Sequence, residues 1–272
     1  MNVVEATVLG IVQGLTEFLP ISSSGHMLFV PEFLGWKDPG AAFSAVIQIG
    51  TMAAVVLYFR RDLARIAAAW TRSLWTPALR HHQDARTGWY IGLGTVPIAV
   101  CGLAFKDFIE GPSRNLWLNA SALVGMGLLL MAADRAGARK REVGDLNLRD
   151  GLVIGAFQAL ALIPGSSRSG STMTGALFLG YTREASARYS FLLSVPAVVL
   201  SGVFELRHAF GGGLPVVPTA VATAVSFAVG YACIAWLLRY LARHSVMVFV
   251  YYRLALGGII MALLAAGVLS AT

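Results

Sequence analysis

The sequence is short of charged residues and of cysteine. Charged residues make up only 13% of the 272 residues, and there are two cysteines. A soluble domain carries about 25% charged residues, so this chain lacks the polar surface that a water-exposed globule needs. Cys101 and Cys233 both lie in apolar runs, which excludes a disulfide scaffold and is typical of buried free thiols. With 57% hydrophobic residues, disorder is excluded as well, and we predict an integral membrane protein.

The net charge of +7 comes from basic residues between the apolar runs. Fifteen of the 21 Lys and Arg residues lie in the segments 60–87, 134–150, 183–188 and 239–243. Basic residues favour the cytoplasmic side of a membrane, so we expect these segments in the cytoplasm and both termini on the outer face. This distribution argues for membrane lipid as a partner and against nucleic acid.

Six stretches are long and apolar enough to cross a bilayer, which takes about 20 residues. They are 41–60, 88–106, 115–133, 184–206, 217–238 and 247–269. Two further regions, 2–35 and 151–181, are apolar but have centres rich in Pro, Gly and Ser. Irregular backbone at membrane depth survives only where protein covers it or where it lines a polar cavity. We therefore predict an all-α polytopic membrane protein with six transmembrane helices and two re-entrant helical hairpins whose tips meet.

The two halves of the chain resemble each other. Gly10-Ile-Val-Gln13 matches Gly155-Ala-Phe-Gln158, and the loops at Pro20 and Pro164 match with an offset of one residue. Each half holds one hairpin and three spans, and because three is odd the second half must be inverted. The single membrane domain then consists of repeat 1 (1–133), a cytoplasmic loop (134–150) and the inverted repeat 2 (151–269). Inverted repeats with broken helices place a polar site near the midplane.

The first hairpin holds ionisable residues at bilayer depth, which are functional candidates by default. Gln13 and Glu17 are four residues apart, so they share a helix face and present oxygens to a hard cation such as Mg²⁺ or Ca²⁺. Alternatively, Glu17 pairs with an arginine. Hydroxyls at 22–24 lie close to His26, and a neighbouring base turns a hydroxyl into a nucleophile. Since His26 itself can attack phosphorus, the spacing leaves the nucleophile open.

The second loop has the features of a phosphate site. Gly165 permits close backbone approach, neighbouring serines supply donors, and Arg168 offers a planar fork that suits phosphate oxygens. We expect Thr172 to begin a helix whose N-terminal amides point at the loop. An ion pair of Arg168 with Glu17 that holds the hairpins together is the structural alternative. Arg253, in the last span, is either a second phosphate ligand or a partner of Glu205.

The segments Gln13-Gly-Leu-Thr-Glu17-Phe-Leu-Pro-Ile-Ser-Ser-Ser-Gly-His26 and Pro164-Gly-Ser-Ser-Arg-Ser-Gly170 strongly resemble the two signatures of bacterial undecaprenyl-diphosphate phosphatases, the bacitracin-resistance protein family. The resemblance extends over essentially the whole chain. It implies a plasma-membrane enzyme that removes the terminal phosphate of a polyprenyl diphosphate lipid with a divalent cation. This reaction recycles the lipid carrier of peptidoglycan synthesis.

The resemblance and the residues together give the predicted site. The catalytic residues are Glu17, Ser23, His26 and Arg168, with Ser23 deprotonated by His26 in the mechanism that we expect. Glu17 and Gln13 are the expected metal ligands. The expected substrate-binding residues are Gln13, Ser22, Ser24, Gly165, Ser166, Ser167, Ser169, Thr172 and Arg253. The alternative function is a transporter or flippase for an anionic polyprenyl lipid, which inverted repeats also suit. The sequence does not show the oligomeric state, although Gly125 and Gly127 would permit the close helix contact of a homodimer.

Overall fold

The computed structural model describes residues 1–106, 115–209 and 214–270, and most of these residues are helical. The described part contains eleven α-helices: α1 (Val3–Thr16), α2 (Ser23–Phe33), α3 (Gly40–Tyr58), α4 (Arg60–Trp75), α5 (Gln83–Ala104), α6 (Leu116–Ala136), α7 (Leu148–Ala159), α8 (Arg168–Phe178), α9 (Arg183–Ala209), α10 (Val216–Leu241) and α11 (Met247–Ala265). Short 3₁₀ helices cover Pro77–His81, Val143–Asp145 and Leu160–Leu162.

Each predicted span coincides with one helix: α3, α5, α6, α9, α10 or α11. Among the described residues, α5, α6, α10 and α11 are long and apolar enough to cross a membrane. A fifth span results if α3 and α4, which are bent by 77° at their junction, count as one. The chain is therefore an all-helical membrane protein with four or five candidate spans, while the count of six stays a prediction.

Both interrupted regions are pairs of short helices, α1 with α2 and α7 with α8. Each second helix begins earlier than expected, α2 at Ser23 and α8 at Arg168. The expectation that Thr172 begins α8 is therefore wrong. The reason is a serine N-cap: Ser22 and Ser167 both adopt a positive φ, 75° and 71°, and begin the helix at the next residue.

The two capping serines use their hydroxyls in the same way. Ser22 Oγ accepts from the backbone N–H of Gly25 at 3.4 Å, and Ser167 Oγ accepts from that of Gly170 at 3.1 Å. Such a cap satisfies an amide at the start of the helix that has no partner within the helix. The matched loops therefore share a local geometry as well as a composition.

Packing between the halves is reciprocal, with the first helix of each hairpin against a span of the other half. Helix α1 packs on α10 and α7 packs on α5. A Cβ at Gly10 would lie 2.6 Å from the carbonyl oxygen of Ala222, and a Cβ at Gly155 would lie 2.2 Å from that of Gly94. The matched glycines thus serve one purpose, close helix contact. This reciprocity supports the duplication, whereas the inverted topology stays a prediction.

The segment that joins the halves is held by polar contacts. Arg141 forms an ion pair with Asp150, and Tyr181 Oη donates to the same carboxylate at 2.6 Å. Arg183 forms a second, bidentate pair with Asp134, at 2.6 and 2.9 Å. Burial and the hydrogen bond to Asp150 raise the pKa of Tyr181 above its usual value. These contacts fix α8 and α9 relative to the joining segment.

Candidate active site

The centre of the site is the buried carboxylate of Glu17, directly after α1. Its Oε2 accepts from Gln13 Nε2 at 2.9 Å and from Ser23 Oγ at 2.7 Å. Its Oε1 accepts from Gln48 Nε2 at 3.1 Å and forms a short ion pair with Arg168. A carboxylate has about four lone-pair sites, so all four are occupied by protein donors. The ion pair considered as a structural alternative is thus present, inside the predicted site.

The two loops meet directly at this point. The backbone N–H of Gly165 donates to Ser24 Oγ at 3.4 Å, and Ser169 Oγ donates to the carbonyl of Leu19 at 3.0 Å. With the ion pair of Glu17 and Arg168, these contacts confirm the prediction that the hairpin tips come together. Gly165 has φ +93°, and a Cβ there would collide with the backbone of Asn119. The conformation and the contact both require glycine at this position.

Arg253 contacts both loops and is completely buried. Its guanidinium donates to the carbonyls of Pro20 at 3.0 Å, Gly165 at 3.2 Å and Ser166 at 3.0 Å, and to a carbonyl of α6 at 2.9 Å. Because these bonds engage every nitrogen of the guanidinium, the phosphate-ligand role expected for Arg253 is not supported. Its alternative partner, Glu205, has a side chain outside the described residues. Arg253 is a positioning residue that ties the hairpins together.

His26 makes different contacts from those expected. Its Nδ1 lies 2.7 Å from the carbonyl oxygen of Ser22 and its Nε2 lies 2.6 Å from Tyr252 Oη. The imidazole thus contacts the carbonyl of the N-cap residue Ser22, one helical turn earlier, and it stacks on the Tyr252 ring. Ser23 donates instead to Glu17, so the contacts do not favour the expected deprotonation of Ser23 by His26. The carboxylate that accepts the hydrogen bond of Ser23 is that of Glu17.

A cavity of about 510 Å³ opens at the carboxylate. Its polar lining residues are Glu17, Ser23, Ser24, Gln48, Ser167 and Arg168, together with Lys106, which follows the end of α5. Its apolar walls come from α5, the 3₁₀ turn after α7, and α9. The other predicted site residues support the site but do not line this cavity. They are Gln13, Ser22, His26, Gly165, Ser166, Ser169, Thr172 and Arg253.

The supporting hydroxyls are used inside the protein. Thr172 Oγ1 lies 2.5 Å from Ser190 Oγ and donates to the Arg168 carbonyl at 2.8 Å. The Ser22 hydroxyl lies 3.2 Å from that of Ser24 and caps α2. These side chains set the shape of the loops and leave phosphate contacts to the residues that line the cavity.

Gln48 is a site residue that the sequence interpretation missed. It lies on α3, lines the cavity and donates to Glu17. The sequence does single out this residue, because Gln48 is a polar residue between Ile47 and Ile49 in the apolar stretch 41–60. A buried polar side chain requires a hydrogen-bond partner, and that partner proves to be the catalytic candidate.

The residues expected to hold Mg²⁺ or Ca²⁺ do not form a preformed cation site. Glu17 is the only carboxylate among the described residues that line the cavity, and its lone pairs already accept from four donors. Gln13 turns its Nε2 donor toward it. A hard cation takes six or more oxygen ligands, whereas this arrangement presents hydrogen-bond donors and the Arg168 guanidinium.

Comparison with known proteins matches this chain over residues 6–259 to the family described as bacitracin resistance protein BacA. It is 53% identical to undecaprenyl-diphosphatase 2 of Streptomyces avermitilis, over 99% of this chain and 97% of that one. It is 54% identical to undecaprenyl-diphosphatase of Thermobifida fusca, over 99% and 93%. The chain belongs to the BacA family. The matched region contains both hairpins and every described residue that lines the cavity, so the family resemblance seen in the two signatures is confirmed.

Proposed function

We propose that this chain hydrolyses undecaprenyl diphosphate to undecaprenyl phosphate and inorganic phosphate at the cavity between the hairpins. The observation that carries this conclusion is the cavity itself, which joins a hydroxyl, a carboxylate and a guanidinium at one end to apolar walls at the other. A lipid with an anionic head needs both ends. The BacA relatives of the preceding section bear the name undecaprenyl-diphosphatase, which supports the same substrate. The family name refers to bacitracin resistance.

In the proposed mechanism the Ser23 oxygen attacks the terminal phosphorus and its proton passes to Glu17 Oε2. The bond between that phosphorus and the bridging oxygen breaks, the bridging oxygen takes the proton from Glu17, and undecaprenyl phosphate leaves with Glu17 again a carboxylate. Arg168 stabilises the negative charge that spreads over the transferring group. Water then attacks the phosphoserine with Glu17 taking its proton, and inorganic phosphate leaves as the Ser23 hydroxyl re-forms. His26 positions the first turn of α2 instead of serving as the base.

In this proposal Glu17 does not bind the expected divalent cation. The four donors around the carboxylate do not fit a resident Mg²⁺ or Ca²⁺, so we assign the cation to the diphosphate, whose oxygens are hard ligands of the kind that both ions prefer. No step of the mechanism depends on it.

The topology belongs to the same proposal. We place six spans and two re-entrant hairpins, related by an inverted repeat, in the bacterial plasma membrane with both termini outside. The cavity is lined by the C-terminal end of α5 and by residues just past the middle of α9; both helices run toward the outer face in this orientation, so the diphosphate approaches from that face. A homodimer contact would involve Gly125, where a Cβ would meet no atom within 4 Å, since Gly127 already packs against Arg253 within the chain.

The test is phosphate release from undecaprenyl diphosphate by the purified protein in detergent. We expect wild type and the exposed control Ser121→Ala to release phosphate, and Ser23→Ala and Arg168→Ala to release almost none while remaining folded. A passive lipid carrier, the alternative function, would release none in any variant. Near-normal release by Arg168→Ala would refute the assignment of this cavity.

A further inference from the structure

The apolar half of the cavity leads from the catalytic residues to the outside of the helix bundle. Its apolar walls are Ile98, Ala99, Gly102 and Leu103 of α5, Ala161 and Leu162 of the 3₁₀ turn, and Ala197, Val198 and Leu200 of α9; the charged Lys106, just after α5, also lines the cavity. Leu103 and Leu200 are 74% and 55% exposed. The cavity is therefore continuous from Glu17 to a surface that, on a membrane-spanning helix, contacts lipid.

Both helices carry a proline directly before their first cavity residue. Pro97 precedes Ile98 in α5 and Pro196 precedes Ala197 in α9. A proline inside a helix removes one backbone hydrogen bond and favours a bend. The two walls are thus locally weakened at the same depth, beside the catalytic residues.

Gly102 differs from Gly88 and Gly94 of α5, which are closely packed. A Cβ at Gly94 would lie 2.8 Å from the backbone oxygen of Gly151, so Gly94 serves helix packing. A Cβ at Gly102 would meet only Leu162 Cδ2, at an ordinary 3.8 Å. Helix packing does not require glycine there, and a larger side chain would project into the cavity.

We propose that this apolar half binds the first isoprene units of the substrate, and that Gly102 determines specificity by keeping the path open. The proposal rests on the proposed function and deepens it. A cavity of about 510 Å³ encloses a ligand of drug size, so it holds the diphosphate and the first few units while the remaining chain lies in the bilayer. Because lipid tails are as apolar as leucine, the walls select by shape and add little affinity.

A graded series of substitutions tests the steric claim. We expect kcat/KM for undecaprenyl diphosphate to fall as the side chain grows, least for Gly102→Ala, more for Gly102→Val, and about tenfold or more for Gly102→Leu, the size of effect that a misfit in an apolar pocket produces. The matched control is the same series at Gly92, which is exposed on the same helix and has no atom within 4 Å of its Cβ position. A Gly102→Leu variant as active as Gly92→Leu would overturn the proposal.

A binding measurement separates this proposal from the proposed function. Undecaprenyl diphosphate with a photoreactive group on its first isoprene unit is cross-linked to the wild-type protein, and the labelled peptides are identified. Labelling of residues 98–103 and 197–200 is expected, and labelling of Gly102→Leu at these positions should fall. If phosphate is released but the label lies elsewhere, the inference fails alone. If the label lies there but no phosphate is released, the proposed function fails alone.

Discussion

The carboxylate of Glu17 allows a sharp prediction, because one substitution, Glu17→Gln, changes all four of its contacts. The amide oxygen of the variant can still accept from two of the four donors. The amide nitrogen faces the remaining two donors and is itself a donor, so it cannot bond to them. Two hydrogen bonds are lost, and the guanidinium of Arg168 loses its counter-charge. Ser23 loses its proton acceptor whichever way the amide turns, because a neutral amide oxygen accepts a hydrogen bond but is too weak a base to take the proton.

The magnitudes follow from burial and from the chemistry. Removing one partner of a buried ion pair costs about 3–5 kcal/mol, and because the Arg168 side chain is 17% exposed we expect the lower end, about 3 kcal/mol. Loss of a general base lowers the rate by about 10²–10⁴-fold. Glu17→Gln should therefore lower kcat by about a hundredfold or more and lower the Tm, while the exposed control Glu32→Gln changes neither.

A double-mutant cycle separates catalysis from structure. If Glu17 acts by accepting the proton of Ser23, the double variant Glu17→Gln with Ser23→Ala should be no slower than Ser23→Ala alone, because both changes disable one step. Phosphate release and thermal unfolding are measured on the same preparations. A kcat within tenfold of wild type in Glu17→Gln, or effects of the two single variants that multiply, would refute the mechanism.

Three further predictions concern the supporting residues. Gln48→Ala removes one charge-assisted hydrogen bond to Glu17 and should lower kcat about tenfold, since such bonds contribute about 1.5 kcal/mol or more; phosphate release checks this. Arg253→Met leaves the carbonyls of both loops without donors and should lower the free energy of unfolding by about 3 kcal/mol, measured as a lower Tm. Tyr252→Phe removes the bond to His26, which should cost about 1 kcal/mol of stability and leave kcat nearly unchanged.

Exposed neighbours provide matched controls for two of these variants. They are Arg243→Met for Arg253→Met and Tyr251→Phe for Tyr252→Phe, and neither should alter kcat or Tm. A large fall in kcat for Tyr252→Phe would show that the imidazole takes part in proton transfer and would contradict the role given to Glu17. A stable Arg253→Met variant would show that the two loops hold together without the guanidinium.

Hydropathy and composition predicted the parts of the fold that depend on short-range patterns. The helices follow from apolar length, and the interruptions at Pro20 and Pro164 follow from residues that break helices. The early starts of α2 and α8 did not follow, because they depend on positive φ angles at Ser22 and Ser167. Serine rarely adopts this conformation, and nothing in the sequence pattern indicates it.

The contacts of side chains across the fold were the least predictable. His26 bonds to Tyr252, which is 226 residues away along the chain, so its orientation is set by tertiary packing and not by the nearby serines. The carbonyl partners of Arg253 come from loops far away along the chain. The sequence does not show these partners, so Arg253 was predicted to bind phosphate. The pair Glu17 and Arg168 was predictable, since opposite charges at bilayer depth must find each other.

The repeated cap explains why this pair of loops makes a catalytic centre. Aligning the capping residues Ser22 and Ser167 makes Ser23 and Arg168 equivalent, since each is the first residue of its helix. Both side chains contact Glu17, Ser23 at Oε2 and Arg168 at Oε1. A single loop geometry, used twice, therefore places a nucleophile from one half and a phosphate ligand from the other on either side of one carboxylate. Under the same alignment Glu17 is equivalent to Leu162, so the carboxylate comes from the first half alone. Exchanging the two first residues, Ser23→Arg with Arg168→Ser, keeps one arginine beside this carboxylate and should preserve the fold far better than either single substitution.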